Sequence, residues 1–189
     1  VALTEKYLKG SFKQGLDKSN VVILGGTGPV GVASAVICAK AGASVRLVGR
    51  SIEKAEKTAA ICNDRYESKN VMAGMDADKQ DYLNDADIVL NTGAAGIQLM
   101  TDDNVQMSKN LKICADTNAV PPSGIAGVDV MDSGKIMEKS PNKCLGIGAL
   151  AIGNVKYKSQ HECLKLMYTS DDPVYLDFED AFKFAQTSV

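Results

Sequence analysis

Val21-Val22-Ile23-Leu24-Gly25-Gly26-Thr27-Gly28-Pro29-Val30-Gly31 is the stretch on which the fold turns. Its first four residues form a β-branched apolar run halted by two glycines, the pattern of a strand buried on both faces. From Pro29 to about Ala41, small and apolar residues (Val32, Ala35, Val36, Ala39) recur at helical spacing and Gly42 supplies a stop. Pro29 suits the first helical turn, where its missing N–H leaves no bond unmade. Val45-Arg46-Leu47-Val48 then reads as a second strand, so the unit is β-α-β and about thirty residues long. Gly26-Thr27-Gly28-Pro29-Val30-Gly31 fits G-x-G-x-x-G. Alone the match says little, but here it follows a strand and opens a helix, which is the context that gives it meaning. Gly26 permits the tight turn, Gly28 presents no Cβ to a pyrophosphate, and Gly31 lets helix and strand approach. The first-turn amides and the positive end of the helix dipole then face the phosphates. The competing reading is a glycine turn made for packing alone.

The alternation continues outward from this unit. Ser51 is a good N-cap for a second helix running to about Asn63. Val71-Met72-Ala73 follows, then a short helix over Lys79 to Asn84, a strand over Asp87-Ile88-Val89-Leu90-Asn91, and another over Lys112-Ile113-Cys114-Ala115-Asp116. Leu145-Gly146-Ile147 reads as a last strand. A long helix from about Ala149 to Met167 comes next, and Asp177 caps a terminal amphipathic helix bearing Phe178, Phe182 and Phe184. Strands alternating with helices require crossovers, hence parallel neighbours. The fold class expected is α/β, a doubly wound parallel sheet of Rossmann type. Residues 1–18 read as a leading charged helix or linker, and 19–189 as one nucleotide-binding domain including the C-terminal helices.

Roughly twenty residues past the glycines, an NAD site would place Asp or Glu to accept from the ribose hydroxyls. Here the second strand ends in Gly49-Arg50-Ser51. A guanidinium meets a 2′-phosphate with paired hydrogen bonds, and Lys54, about one helical turn on, adds a second cation. The competing readings are a solvated strand end for Arg50 and a solvated helix face for Lys54. Together, with Ser51 between them, they favour NADP, with NAD possible. Thr92-Gly93-Ala94 ends the fourth strand at the same carboxyl edge, where small residues let backbone approach the nicotinamide ribose. Asp116 and Asn118 end the fifth strand there too, with turn and cap chemistry as their alternative. His161, mid-helix without an evident partner, reads as structural.

Composition excludes several classes. The net charge of -2 leaves no basic stripe for a nucleic-acid backbone. No apolar run reaches the roughly eighteen residues of a membrane span. The five cysteines form no C-x-x-C pair and no metal spacing, so reduced thiols in a cytoplasmic protein are expected. There is no G-x-S-x-G, P-loop lysine or metal-ligand cluster, and no residue is singled out as catalytic. A chain with so little acid–base equipment suits hydride transfer at a carbon activated by an adjacent nitrogen, where positioning is the main task.

Three segments carry a more specific likeness. Gly25-Gly26-Thr27-Gly28-Pro29-Val30-Gly31, the run from Asn118 to Asp129 (Asn118-Ala119-Val120-Pro121-Pro122-Ser123 onward) and the run from Gly146 to Tyr157 resemble the cofactor-binding part of bacterial NAD(P)-dependent methylenetetrahydromethanopterin dehydrogenases. The likeness extends to the closing Leu176-Asp177-Phe178 helix. It implies oxidation of a methylene-bridged C1 unit on a tetrahydropterin to the methenyl form, with NADP or NAD reduced. It also implies Asn118, Pro121 and Pro122 near the nicotinamide or pterin, and a pterin-binding N-terminal domain that this sequence is expected to lack; separately, a homo-oligomer is expected. The alternatives are another NADP-linked dehydrogenase of shikimate type, or a non-catalytic NADP(H)-sensing module.

Overall fold

Helix α1 (Ala2–Phe12) precedes the first strand, β1 (Asn20–Leu24), which feeds α2 (Pro29–Lys40) and returns as β2 (Ser44–Gly49). The alternation continues through α3 (Ile52–Arg65), β3 (Val71–Met75), α4 (Lys79–Asn84), β4 (Ile88–Asn91), α5 (Asp102–Met107) and β5 (Ile113–Asp116). It ends with β6 (Ser133–Ile136), β7 (Leu145–Ile147), α6 (Ala149–Thr169) and α7 (Phe178–Thr187). The structure is a computed structural model describing residues 1–189. The strands form a single sheet in the order β3-β2-β1-β4-β5-β7-β6. All pairs are parallel except β6 with β7. From β1 the chain winds outward through β2 and β3, then crosses back to place β4 on the other side of β1. That reversal opens a crevice at the carboxyl ends of β1 and β4, where sheets of this kind bind ligands.

Successive side chains along each strand go to opposite faces, so every central strand feeds two cores. Val21 and Ile23, Val45 and Leu47, Ile88 and Leu90 pack with Ala35, Val36 and Ala39 of α2 and with Ala55, Ala59 and Cys62 of α3. Val22 and Leu24, Val89 and Cys114 face the opposite way, onto Leu83 of α4, Val105 of α5 and the Ile125–Val128 loop. The strands are near-continuous apolar runs because both faces are covered. Leu8 of α1 and Leu16 after it are also buried in the first core, so the leading segment is built into this layer. No helix is long and apolar enough to cross a membrane.

Two elements depart from the sequence reading. α5 was not anticipated; it has six residues and one buried side chain, Val105, too few to show a period. Its signal was at the cap, where Thr101 Oγ1 accepts from Asn104 N and Asn104 Oδ1 accepts from Thr101 N, a capping box with Asn in place of the usual Glu or Gln. β6 is an antiparallel edge, polar and mostly exposed, so it carries no apolar alternation. Tertiary contacts hold it: the Tyr7 hydroxyl donates to Ser133 O at 2.7 Å, and Gly134, at φ +80°, leaves room for the Tyr7 ring.

All five thiols are unpaired; Cys38, Cys62, Cys114 and Cys144 are buried and Cys163 is partly exposed. Burial pushes the Cys38 thiol up from about 9 to about 11. Because thiolate is the reactive form, the native protein is expected to show one readily alkylated thiol, Cys163, with the other four reacting only in denaturant. A thiol count with a disulfide reagent before and after denaturation measures this; more than one fast thiol in the native state contradicts it. The Cys38 shift also has a sign. A raised folded value stabilises fully below pH about 9, and that contribution is lost as pH climbs through about 11.

Candidate dinucleotide groove

The glycine turn is held by contacts that only glycine allows. Gly25 leaves β1 at φ +65°, and a Cβ there would lie 2.5 Å from Gly93 Cα. Gly26 N donates to Val48 O at 2.9 Å, tying the turn to the end of β2. A Cβ on Gly31 would fall 2.2 Å from Gly26 O, so helix and turn touch backbone to backbone. Gly28 differs, because nothing lies within 4 Å of its Cβ position. Packing therefore explains Gly26 and Gly31, while Gly28 faces open space beside the start of α2. No side chain caps that helix, and Pro29 occupies its first turn. Its first amides and dipole end remain to meet an anion.

A groove of about 340 Å³ runs along this edge, lined by residues that include Thr27, Gly28, Arg50, Lys54, Thr92, Gly93 and Ala94. Arg50 and Lys54 are exposed within it and no carboxylate forms an ion pair with either. Ser51 caps α3, accepting from Lys54 N at 3.2 Å, while its hydroxyl donates to Glu53 Oε2 at 2.7 Å. That bond holds the Glu53 carboxyl below its ordinary range, with a smaller backbone contribution. Thr92 donates through Oγ1 to Leu24 O and Gly25 O, which locks the exit of β4 onto that of β1. Pro29 and Val30 line a second, larger cleft of about 620 Å³, mostly apolar, between α1, α2, α6 and α7. Thr92 belongs to both clefts, so the two meet at the carboxyl end of β4.

Asp116 and Asn118 sit behind the groove. Asp116 is 1% exposed; its Oδ1 accepts from Asn91 Nδ2 at 2.7 Å and Asn118 N at 2.9 Å, and its Oδ2 from Ile125 N at 3.0 Å. Asn118 Oδ1 accepts from Gly96 N and Val120 N, and its Nδ2 donates to Pro122 O. The pair thus joins the loop after β4 to the loop after β5. Each polar atom is engaged within the protein, as turn chemistry requires. His161 is exposed on α6 and lines neither cleft. Sequence reasoning passed over Asp76 and Leu99, which also line the groove, and Asn91, which anchors Asp116. Asp76 had a signal available: it directly follows β3, whose end stands beside that of β2.

No family model matches the chain. It is 37% identical, over 188 residues and 98% of its own length, to the NAD(P)-dependent methylenetetrahydromethanopterin dehydrogenase of Methylorubrum extorquens. It is also 37% identical over 189 residues to the Bifunctional protein MdtA of the same organism. The resemblance read from the sequence is thereby borne out. The chain spans 63% and 62% of the lengths of these curated relatives. Among solved structures it is similar to quinate dehydrogenase from Corynebacterium glutamicum in complex with NAD, at a TM-score of 0.58 and 14% identity, covering 98% of this chain and 61% of that one. It is likewise similar to the ligand-free 5-ketofructose reductase of a Gluconobacter strain, at a TM-score of 0.53 and 18% identity, covering 100% and 63%. At such identities these likenesses establish the fold, a Rossmann-type α/β sheet.

Proposed function

We propose that the groove holds NADP(H), with NAD(H) as the weaker alternative, and that the chain serves hydride transfer between the nicotinamide and a tetrahydropterin carrying a C1 unit, the methylene form passing to the methenyl form. The observation that carries this reading is the meeting of Arg50 and Lys54 with the Thr27–Gly28 turn in one groove at the topological switch point. The 37% identity to a dehydrogenase named for methylenetetrahydromethanopterin and NAD(P) supports the substrate class.

The fit follows from the residues. The uncapped start of α2 and the empty space over Gly28 suit a diphosphate. Arg50 offers a planar fork of donors to a 2′-phosphate, and Lys54 a point charge beside it. Thr92, Gly93 and Ala94 line the groove on the side where the nicotinamide would lie. When bound, the nicotinamide supplies the hydride chemistry. The chain's part is to orient: the Asp116–Asn118 network keeps the loops after β4 and β5 in place, so that the reacting ring has a fixed wall.

Arg50→Ala is expected to weaken NADPH binding by about 1.5–3 kcal/mol, tenfold to a hundredfold, and to leave NADH almost unchanged. Titration of both reduced cofactors by their fluorescence measures this, and equal losses for the two would refute the 2′-phosphate assignment. Substrate class is tested separately, by following nicotinamide absorbance with methylenetetrahydromethanopterin, methylenetetrahydrofolate and shikimate. Turnover of shikimate and of neither pterin transfers the site to a shikimate-type reaction. Binding of NADPH with no transfer to any acceptor, on the chain and on a longer form matching the relatives' length, favours a sensing module.

A further inference from the structure

The larger cleft, about 620 Å³, joins the dinucleotide groove at Thr92 and has no part in holding the phosphates. Its walls are apolar: Val30 and Ile37 of α2, Ile152 and Val155 of α6, Phe178 and Phe182 of α7. Size and lining are those of a small-molecule site, where a few polar groups fix what binds. Three of its hydroxyls are already engaged: Thr92 Oγ1 donates to Leu24 O at 3.2 Å, Thr117 Oγ1 to Asn91 O at 2.9 Å and Ser159 Oγ to Val155 O at 2.8 Å. Lys156 is the one charged side chain on the wall; it is exposed, and no carboxylate pairs with it. Gln160, one helical turn further along the same face of α6, lines the cleft beside it.

The placement of this pair sets its reach. β4, β5 and β7 are parallel neighbours, so Thr92 and Gly148, the residue before α6, follow strand ends on one edge of the sheet. Lys156 stands two turns into α6, about 10 Å along the helix at 1.5 Å per residue. A ligand that reaches from Thr92 to Lys156 is therefore apolar over most of its length and anionic at its far end. Two phenylalanine rings on the wall suit an aromatic body. A carboxylate accepts from Lys156 Nζ and Gln160 Nε2 together, while the lysine stem lies along the apolar wall.

We propose that this cleft takes an aromatic carboxylate, the aryl tail of the C1-carrying pterin: the ring lies between the walls of Val30, Ile152 and Phe182, and Lys156 and Gln160 hold the acid. The inference rests on the hydride-transfer reading, because the C1 unit must reach the nicotinamide near Thr92 while the arylamine nitrogen that bridges it carries the tail away. Lys156 and Gln160 bind a part of the substrate that does not change in the reaction, so they govern KM and leave kcat as it is.

The direct test needs no turnover. 4-Aminobenzoylglutamate, a ring with an acid arm, and 4-aminobenzamide, its uncharged counterpart, are titrated by calorimetry into the wild-type chain, Lys156→Gln and Lys158→Gln. Lys158 is on α6 outside the cleft and controls for general surface charge. The wild type is expected to bind the acid about tenfold more tightly than the amide, Lys156→Gln to lose about tenfold for the acid alone, and Lys158→Gln to match the wild type. Both lysines are exposed, so both variants are expected to melt near the wild type and to bind NADPH as it does. Where methylenetetrahydrofolate, which carries this tail, is turned over, Lys156→Gln is expected to raise KM about tenfold with kcat within about twofold. Equal binding of acid and amide, wild-type affinity in Lys156→Gln, or an equal loss in Lys158→Gln overturns the assignment; NADPH binding that persists in the same samples leaves the cofactor reading standing. A wild type that binds the acid and not NADPH overturns the cofactor reading, and with it the identity of the acid as a substrate tail.

Discussion

Gly31→Ala is expected to destabilise the protein by about 3–5 kcal/mol and to cost most of its dinucleotide affinity. The new methyl would lie 2.2 Å from Gly26 O and 2.5 Å from Gly26 C and Cα. These are backbone atoms, so no flexible side chain can yield. Either α2 tilts away from β1 or the turn opens, and both displace the first-turn amides. Chemical denaturation measures the first effect and NADPH titration the second; a variant within about 1 kcal/mol of the wild type would show that the contact is not the constraint. Gly28→Ala is the control that separates packing from binding. Nothing within 4 Å opposes its Cβ, and the backbone there, at φ -92° and ψ 172°, suits any residue. Its stability is expected within about 1 kcal/mol of the wild type, with binding reduced tenfold or more by a methyl standing where the phosphates pass. Unimpaired NADPH binding by a folded Gly28→Ala would place the diphosphate elsewhere.

The second large effect lies behind the groove. Asp116→Ala removes the acceptor of Asn91 Nδ2, Asn118 N and Ile125 N, from a site that is 1% exposed. Burying those donors without partners is expected to cost about 3–5 kcal/mol. Asp116→Asn rescues little, because whichever way the amide is turned its NH₂ faces a donor. The loss is expected to be local before it is global: amide exchange rises first at 118–125, the segment that the carboxylate ties to β5. Cofactor affinity is expected to fall as a consequence of that loosening, while the ratio of NADPH to NADH affinity is expected to stay as in the wild type, since Arg50 is untouched. Wild-type stability in Asp116→Ala, or an inverted cofactor preference, would contradict a positioning role and return Asp116 to the ligand.

The legible parts of the site were those whose chemistry is local. Arg50 and Lys54 follow a strand end and start a helix, so their place in the groove follows from position along the chain. Asp116 and Asn118 were correctly set at the carboxyl edge, yet from the sequence a ligand role and a loop role stood equal, because a side chain's partner 25 residues away, Asn91, leaves no mark on its neighbours. Asp76 was passed over for the same reason: β3 alternates weakly, and only its pairing with β2 brings that carboxylate beside Arg50.

Sequence alone determined the strand–turn–helix at residues 20–40, the doubly buried strands, the caps at Ser51 and Asp177, and the two cations, Arg50 and Lys54, that follow β2. Each of these is decided by sterics, hydrogen bonding and periodicity within a few residues. The tertiary structure decided the strand order, the antiparallel edge of β6, the junction of two clefts at Thr92, and which carboxylate lines the groove and which is buried among backbone donors. Those depend on register between strands remote in the chain. A shift of one residue in a strand reverses every side chain on it, so the direction of Asp116, at the end of β5, is settled by its neighbours in the sheet.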